Sequence, residues 1–222
     1  MDLQQLYLNR FDETARARKA VVWDVLYRHV FQQWIRPTDT VLDLGAGFCE
    51  FINSARAGRR IAVDLNPDTA RLAAPGVEVQ ACSATELGFL GPGAVDVVFS
   101  SNFLEHLSCK QDVASALSES MRVLRPGGTL ILLGPNVRLI PGPYWDFFDH
   151  HVPLSDRSLC EVLSVTGFDL VRVEPRFLPY TTRSALPQAA WLVALYLRLR
   201  PLSSRFLGKQ FLIVARKPSA AR

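Results

Sequence analysis

The sequence predicts an α/β fold, an open and mostly parallel sheet with helices on both faces. Three observations carry that prediction. The run Val41-Leu42-Asp43-Leu44-Gly45-Ala46-Gly47-Phe48-Cys49-Glu50-Phe51 ends an apolar strand in a glycine-rich turn and re-emerges with helical character. A second apolar strand, Arg60-Ile61-Ala62-Val63-Asp64, ends in an acid 21 positions after Asp43. Residues 95–100 form an unbroken apolar run of the kind a central parallel strand needs.

The elements follow in order. Residues 3–35 place apolar side chains at helical spacing, and Pro37 closes the second of the helices there. The first strand is expected at 40–44, its helix from about 48, and the second strand at 60–64. Asn66-Pro67-Asp68 caps the next helix. Strands follow at 77–81 and 95–100, a helix at 111–124, and a fifth strand at 129–133 after the turn Pro126-Gly127-Gly128. A helix over 155–165 has Ser155 as its cap and Gly167 as its stop. Strands at 168–174 and 210–216 bracket a short helix at 187–200 that is apolar nearly all round and stopped by Pro201. No repeat or low-complexity tract interrupts the chain.

The glycine turn brings backbone close to a ligand, because Gly45 and Gly47 carry no Cβ to block the approach. Asp64 at the tip of the second strand suits the two hydroxyls of a ribose. A dinucleotide site would place a third glycine at position 50, where a helix N-terminus receives pyrophosphate. Glu50 stands there instead and would repel it. A nicotinamide-dependent oxidoreductase is therefore disfavoured. S-adenosylmethionine has a ribose and adenine, no phosphate, and two cationic groups, which acids at 43, 50 and 64 accommodate.

Four blocks in order are Val41–Gly47, then Val63-Asp64-Leu65-Asn66-Pro67, Val95–Leu107, and Arg122-Val123-Leu124-Arg125-Pro126-Gly127-Gly128-Thr129-Leu130. Together they resemble the class I S-adenosylmethionine-dependent methyltransferases over roughly residues 38–176. That resemblance implies a Rossmann-like seven-stranded sheet, mostly parallel with an antiparallel last strand. It also implies one domain: an N-terminal helical cover (1–37), a cofactor-binding core (38–176), a helical lid (177–208) and a final strand (209–218). Cofactor contacts are implied at Asp43, Leu44, Gly45, Ala46, Gly47, Asp64, Leu65, Ser101 and Asn102. Ser83 stands where the family often has an aspartate at the adenine amine, so that contact falls to its hydroxyl or to backbone near Ala84. From the N-terminal cover, Tyr7, Arg10, Phe11 and Arg18 are candidate contacts, against the reading of a packing helix with solvated arginines.

The chain has four histidines: 29, 106, 150 and 151. For an OH or NH acceptor a base must take a proton. His106 closes the fourth-strand motif near the transferred methyl. His151 best matches the family's histidine before its next helix, with His150 beside it. A metal site is not expected, because adjacent side chains in extended backbone point to opposite faces. The aromatics Tyr144, Trp145, Phe147 and Phe148 either wall the substrate or pack the roof.

Four cysteines (49, 82, 109, 160) show no metal or disulfide spacing. No signal peptide and no membrane-length apolar run is visible, so a cytoplasmic protein with reduced thiols is expected. The net charge of +4 is unevenly spread, since residues 172–222 hold ten bases and one acid and the preceding 171 residues carry −5. Nucleic acid is not an expected partner. The segment 187–209 is read as a core-covering or homodimer-forming helix. Alternatively, it is a peripheral contact with a membrane or lipid-linked substrate, its apolar face edged by Arg198, Arg200, Arg205 and Lys209. The function expected is methyl transfer to an oxygen or nitrogen of a small-molecule or sugar acceptor. A non-catalytic cofactor-binding module and a protein or RNA methyltransferase are the competing readings. The latter lacks an Asn-Pro-Pro-Tyr-type motif after the fourth strand, where Ser101-Asn102-Phe103-Leu104 stands.

Overall fold

A computed structural model describes residues 13–140, 142, 144–179, 189–200 and 202–219, with side chains from residue 19 onward. Seven strands form one sheet: β1 (Thr40–Leu44), β2 (Arg59–Val63), β3 (Val77–Gln80), β4 (Val95–Ser101), β5 (Leu124–Pro135), β6 (Asp169–Glu174) and β7 (Gln210–Arg216). Their spatial order is β3-β2-β1-β4-β5-β7-β6. The first five are parallel, and β7 runs antiparallel to both β5 and β6. The order reverses between β1 and β4, where Leu44 pairs with Val63 on one side and Ser100 on the other. Open α/β sheets bind ligands at this kind of crevice.

The apolar runs of β1 and β4 are buried on both faces, as their sequences demand. Val41, Val97 and Phe99 face a core shared with helix α1 (Glu13–Leu26) and the turns after it, while Leu42, Leu44 and Val98 face a second core. That second core is closed by α4 (Lys110–Val123) and α5 (Asp156–Thr166). The expected cap of α5 is present, with Ser155 and Ser158 exchanging side-chain and backbone hydrogen bonds and Gly167 ending the helix in the left-handed region. Short helices α2 (Glu50–Ser54) and α3 (Asp68–Leu72) follow β1 and β2, and Asn66 Oδ1 accepts the Asp68 N–H at 3.0 Å.

Three elements depart from expectation. Helix α2 begins at Glu50 rather than 48, because Cys49 takes φ 62° and cannot continue a right-handed helix. The fifth strand reaches back to Leu124, its register slipping so that Val95 faces Leu124 and Val97 faces Thr129. The glycine pair there is a bulge, tied down by Gly127 N–H to Lys217 O and Lys217 N–H to Gly128 O. The lid forms two helices, α6 (Ala190–Arg198) and α7 (Leu202–Leu207). Val193 and Leu197 of α6 pack on the α1-side core, whereas Trp191, Leu202 and Phe206 are exposed. No described helix is long and apolar enough to cross a membrane.

Candidate active site

The glycine turn is built by steric necessity. Gly45 has φ +69°, and a Cβ there would lie 2.1 Å from the Phe103 ring. Gly47 has φ +51° and open space where its Cβ would stand, so its backbone is accessible to a ligand. Gly45 and Ala46 donate to Val63 O at 2.9 and 3.1 Å, clamping the turn to the end of β2. Asp64 stiffens it further by accepting the Gly47 N–H at 2.7 Å and the Asn66 N–H at 2.8 Å. Cys49 and Asn102 are the non-glycine residues with positive φ among those described, and they flank the turn from β1 and β4. Cysteine gains nothing locally from that conformation, so its strain is held by the surrounding packing.

A cavity of about 500 Å³ opens over this turn. Asp43, Gly45, Ala46, Gly47 and Glu50 line one side, with Ser101 and Asn102 beyond them. Trp23, Phe51 and Phe99 form an aromatic wall, the last two stacked with centroids 3.5 Å apart. Leu192, Tyr196 and Leu199 roof it, and His106, Tyr144 and His150 close the far end.

The charges are arranged for a cation. Burial pushes the Asp43 carboxyl well above its ordinary value, and the neighbouring charges of Asp64 and Glu50 add to that. Burial likewise raises Glu50, which Lys19 at 3.8 Å partly offsets. Asp64 is raised by burial against the opposing pull of its two backbone donors. Cys49 is pushed up to about 12 by burial and the same three acids. Among the described residues Lys19 pairs with Glu50 and the charge of His106 opposes that of Asp64, so a bound positive charge relieves the remaining repulsion and desolvation.

The histidines divide. His106 Nδ1 lies 3.0 Å from the Asp149 carbonyl oxygen and 3.2 Å from its carboxylate. Both partners only accept, so Nδ1 carries the proton and Nε2 holds the lone pair in the neutral ring. Burial lowers the His106 pKa, but the Asp149 hydrogen bond and the charges of Glu105 and Asp149 outweigh it, and the net shift is upward. His150 Nδ1 bonds the Tyr144 carbonyl at 2.7 Å, and its ring meets that of His106 edge-on at 4.8 Å. Beneath both, buried Glu105 accepts the Tyr144 hydroxyl at 2.7 Å. His106, Asp149 and His150 offer ligand atoms within 4.8 Å of one another, a grouping that adjacency in sequence did not suggest. His151 and His29 are exposed and outside the cavity lining.

The structure brings Asp43, Gly45, Ala46, Gly47, Ser101, Asn102, His106 and His150 to one cavity. Asp64 is joined to it through Gly47. Leu44 is a core residue, Leu65 is 61% exposed, Ala84 is buried in the core, and the Ser83 hydroxyl is engaged with Thr85. Tyr7, Arg10, Phe11 and the Arg18 side chain lie outside what is described. Sequence reasoning passed over Lys19, Trp23, Glu105 and Tyr196. Lys19 and Trp23 stand four apart on one helical face, which was legible, but nothing local said that this face meets the glycine turn.

A sheet ordered 3-2-1-4-5-7-6 with a glycine turn after β1 and an acid at the tip of β2 defines the class I S-adenosylmethionine-dependent methyltransferases. Residues 42–132 match the methyltransferase domain family. Over 131 residues the chain is 32% identical to a protein of Mycolicibacterium smegmatis described as a "probable S-adenosylmethionine-dependent methyltransferase", covering 57% of this chain and 49% of that one. Over 142 residues it is 31% identical to an uncharacterized 37.1 kDa transposon protein of Streptomyces fradiae, covering 59% and 38%. The chain thus spans less than half the length of these curated relatives. In fold it is similar to a SAM-dependent methyltransferase of Archaeoglobus fulgidus, with TM-score 0.64 and 21% identity over 90% of this chain and 94% of that one. The [4+2]-cyclase SpnF is similar too, with TM-score 0.63 and 18% identity over 90% and 81%. The domain match over 42–132 and the named relatives support a class I methyltransferase with S-adenosylmethionine as cofactor. The open backbone at Gly47 and the acids around it fit that cofactor.

Proposed function

We infer that the protein methylates an oxygen or nitrogen of a small-molecule or sugar acceptor by direct displacement, with His106 as the base. The observation that carries the reading is the His106–Asp149 pair on the wall of the cavity that holds the glycine turn. Bound, S-adenosylmethionine supplies a methyl group on a sulfonium for the acceptor to displace. Asp64 and the Gly45–Gly47 backbone hold the cofactor, and Asp43 and Glu50 neutralise its positive charge. His106 takes the acceptor's proton at Nε2 while Asp149 keeps Nδ1 protonated and the ring oriented. Alignment of the reactants between the aromatic wall and α6 supplies much of the rate.

The test follows methyl transfer from labelled cofactor into candidate acceptors. His106→Gln is expected to lower turnover by about 10²–10⁴-fold with S-adenosylhomocysteine affinity retained. Wild-type turnover in that variant rules out the base. Retained binding without methyl release is the alternative outcome, that of a non-catalytic cofactor-binding module.

A second reading concerns where the acceptor resides. Leu195, Leu199 and Leu207 line the cavity yet are 44%, 56% and 45% exposed, and Trp191, Leu202 and Phe206 extend that apolar surface outward. Residues 190–209 carry four bases and no acid. Both features suit an acceptor presented at an anionic lipid surface. Co-flotation with anionic vesicles, lost in Phe206→Asp, supports this, and no flotation of the wild type overturns it.

A further inference from the structure

A second cavity, of about 730 Å³, lies at the same end of the sheet but beyond β7. Five arginines line it: Arg138 after β5, Arg157 in α5, Arg172 in β6, Arg176 after β6, and Arg200 between α6 and α7. Only Asp156 and Glu174 oppose them among the lining residues. Asp156 is taken by Arg138 at 2.9 Å. Glu174 is shared, since Arg172 contacts one of its oxygens and Arg200 approaches the other at 3.4 Å.

The excess of charge is held in place. Arg200 lies over the Phe177 ring at 5.0 Å, and its side chain is 19% exposed. Its Nη1 is buried with no hydrogen-bond partner among the described residues, although its contact with Glu174 is a loose ion pair. A buried donor of this kind costs stability unless something accepts from it. Arg176 donates to Gly208 O at 3.3 Å, which ties its guanidinium to the end of α7. The N-terminus of α5 closes on its own capping box, so the arginine side chains themselves supply the attraction.

We propose that this arginine-lined cavity is a second ligand site, for a phosphate or diphosphate group, with Arg138, Arg172 and Arg200 as its principal contacts. Five guanidiniums against two carboxylates leave an excess of three positive charges on the lining, which matches a multiply charged oxyanion better than a single carboxylate, and planar forks bind phosphate oxygens in pairs. The cavity is larger than one phosphate, so the group belongs to a phosphorylated organic molecule or to a lipid headgroup facing the exposed surface of α6 and α7. The site stands apart from the cofactor cavity and does not depend on the methyl-transfer reading.

The experiment uses the full chain and inorganic pyrophosphate, at ionic strength held constant with chloride. Pyrophosphate is expected to raise the melting temperature by about 2–4 °C. Calorimetry is expected to show affinity falling about tenfold or more in both Arg200→Gln and Arg138→Gln, and unchanged in Arg71→Gln, a remote exposed arginine. Arg138→Gln keeps the test sound if loss of Arg200 perturbs the fold. Co-flotation with phosphatidic-acid vesicles, lost in the same two variants, assigns the phosphate to a lipid; pyrophosphate binding without flotation assigns it to a soluble molecule. No binding, or binding equal in all variants, overturns the site.

Discussion

Two cavities open at one end of the same sheet and carry opposite charge. The cavity over β1 and β4 gathers Asp43 and Glu50 on its wall, with Asp64 behind Gly47 and Lys19 paired with Glu50. The cavity beyond β7 gathers five arginines around two acids. In the first the charges are buried, and that burial displaces their pKa values upward against the partial offset of Lys19 at Glu50 and His106 at Asp64. In the second the paired arginine side chains range from 19% exposed at Arg200 to 42% at Arg138 and share what carboxylate there is. The contrast teaches how one rim sorts ligands. A phosphate-free cation is drawn to the glycine turn and repelled from the arginines, and an oxyanion experiences the reverse.

The largest expected effect breaks the acidic side of that comparison. Gly45→Ala forces a Cβ into the Phe103 ring and a left-handed φ on an L-residue. Unfolding in urea should show a loss of about 2–4 kcal/mol, the sum of overpacking and strain, and S-adenosylhomocysteine should no longer stabilise the protein. Asp64→Ala should weaken cofactor binding by about 1–3 kcal/mol in calorimetry, and unchanged affinity would remove Asp64 from the site.

The pH dependence sharpens the comparison. Asp43, Glu50 and Asp64 have folded pKa values above their ordinary 3.8 and 4.5, so the stability they contribute is complete below those values. It is lost as pH rises through the folded pKa values. Without cofactor the melting temperature should therefore fall as these groups ionise, and the stabilisation by S-adenosylmethionine should grow over the same interval. A pH-independent cofactor shift would show that the acids do not meet the cation. For His106 the pKa lies above the ordinary 6.5 because Asp149 and Glu105 outweigh burial, so kcat/KM should rise with pH to a plateau above that value. In Asp149→Asn the rise should move to lower pH; an unmoved profile assigns the limb to another group. The smallest effect should come from salt, which screens the half-exposed arginines more than the buried carboxylates. Raising chloride should weaken pyrophosphate binding while changing S-adenosylmethionine affinity less.

How far each cavity was legible in the sequence follows from how local its parts are. The glycine turn, Asp43 and Asp64 sit on contiguous stretches whose strand and turn chemistry is short-range, and β1, β4, α5 and β7 appeared within a residue or two of their expected places. The histidine assignment was not local. His151 matches the position before α5 in sequence, yet its N–H bonds the Glu105 carbonyl and it is exposed, whereas His106 and His150 line the cavity. The arginine cavity was visible in the sequence only as a basic C-terminal stretch, since Arg138 and Arg157 reach it from other elements.

By itself, then, the amino-acid order determined the α/β class, the glycine bend and the acids beside it, because apolar periodicity and the steric freedom of glycine act over a few residues. Only the tertiary structure decided which imidazoles line the cavity, which face of α1 and α6 covers it, and that arginines converge from α5, β6 and the connections after β5, β6 and α6. Those outcomes depend on contacts between segments far apart in the chain, where burial and register, rather than local preference, select the orientation of each side chain.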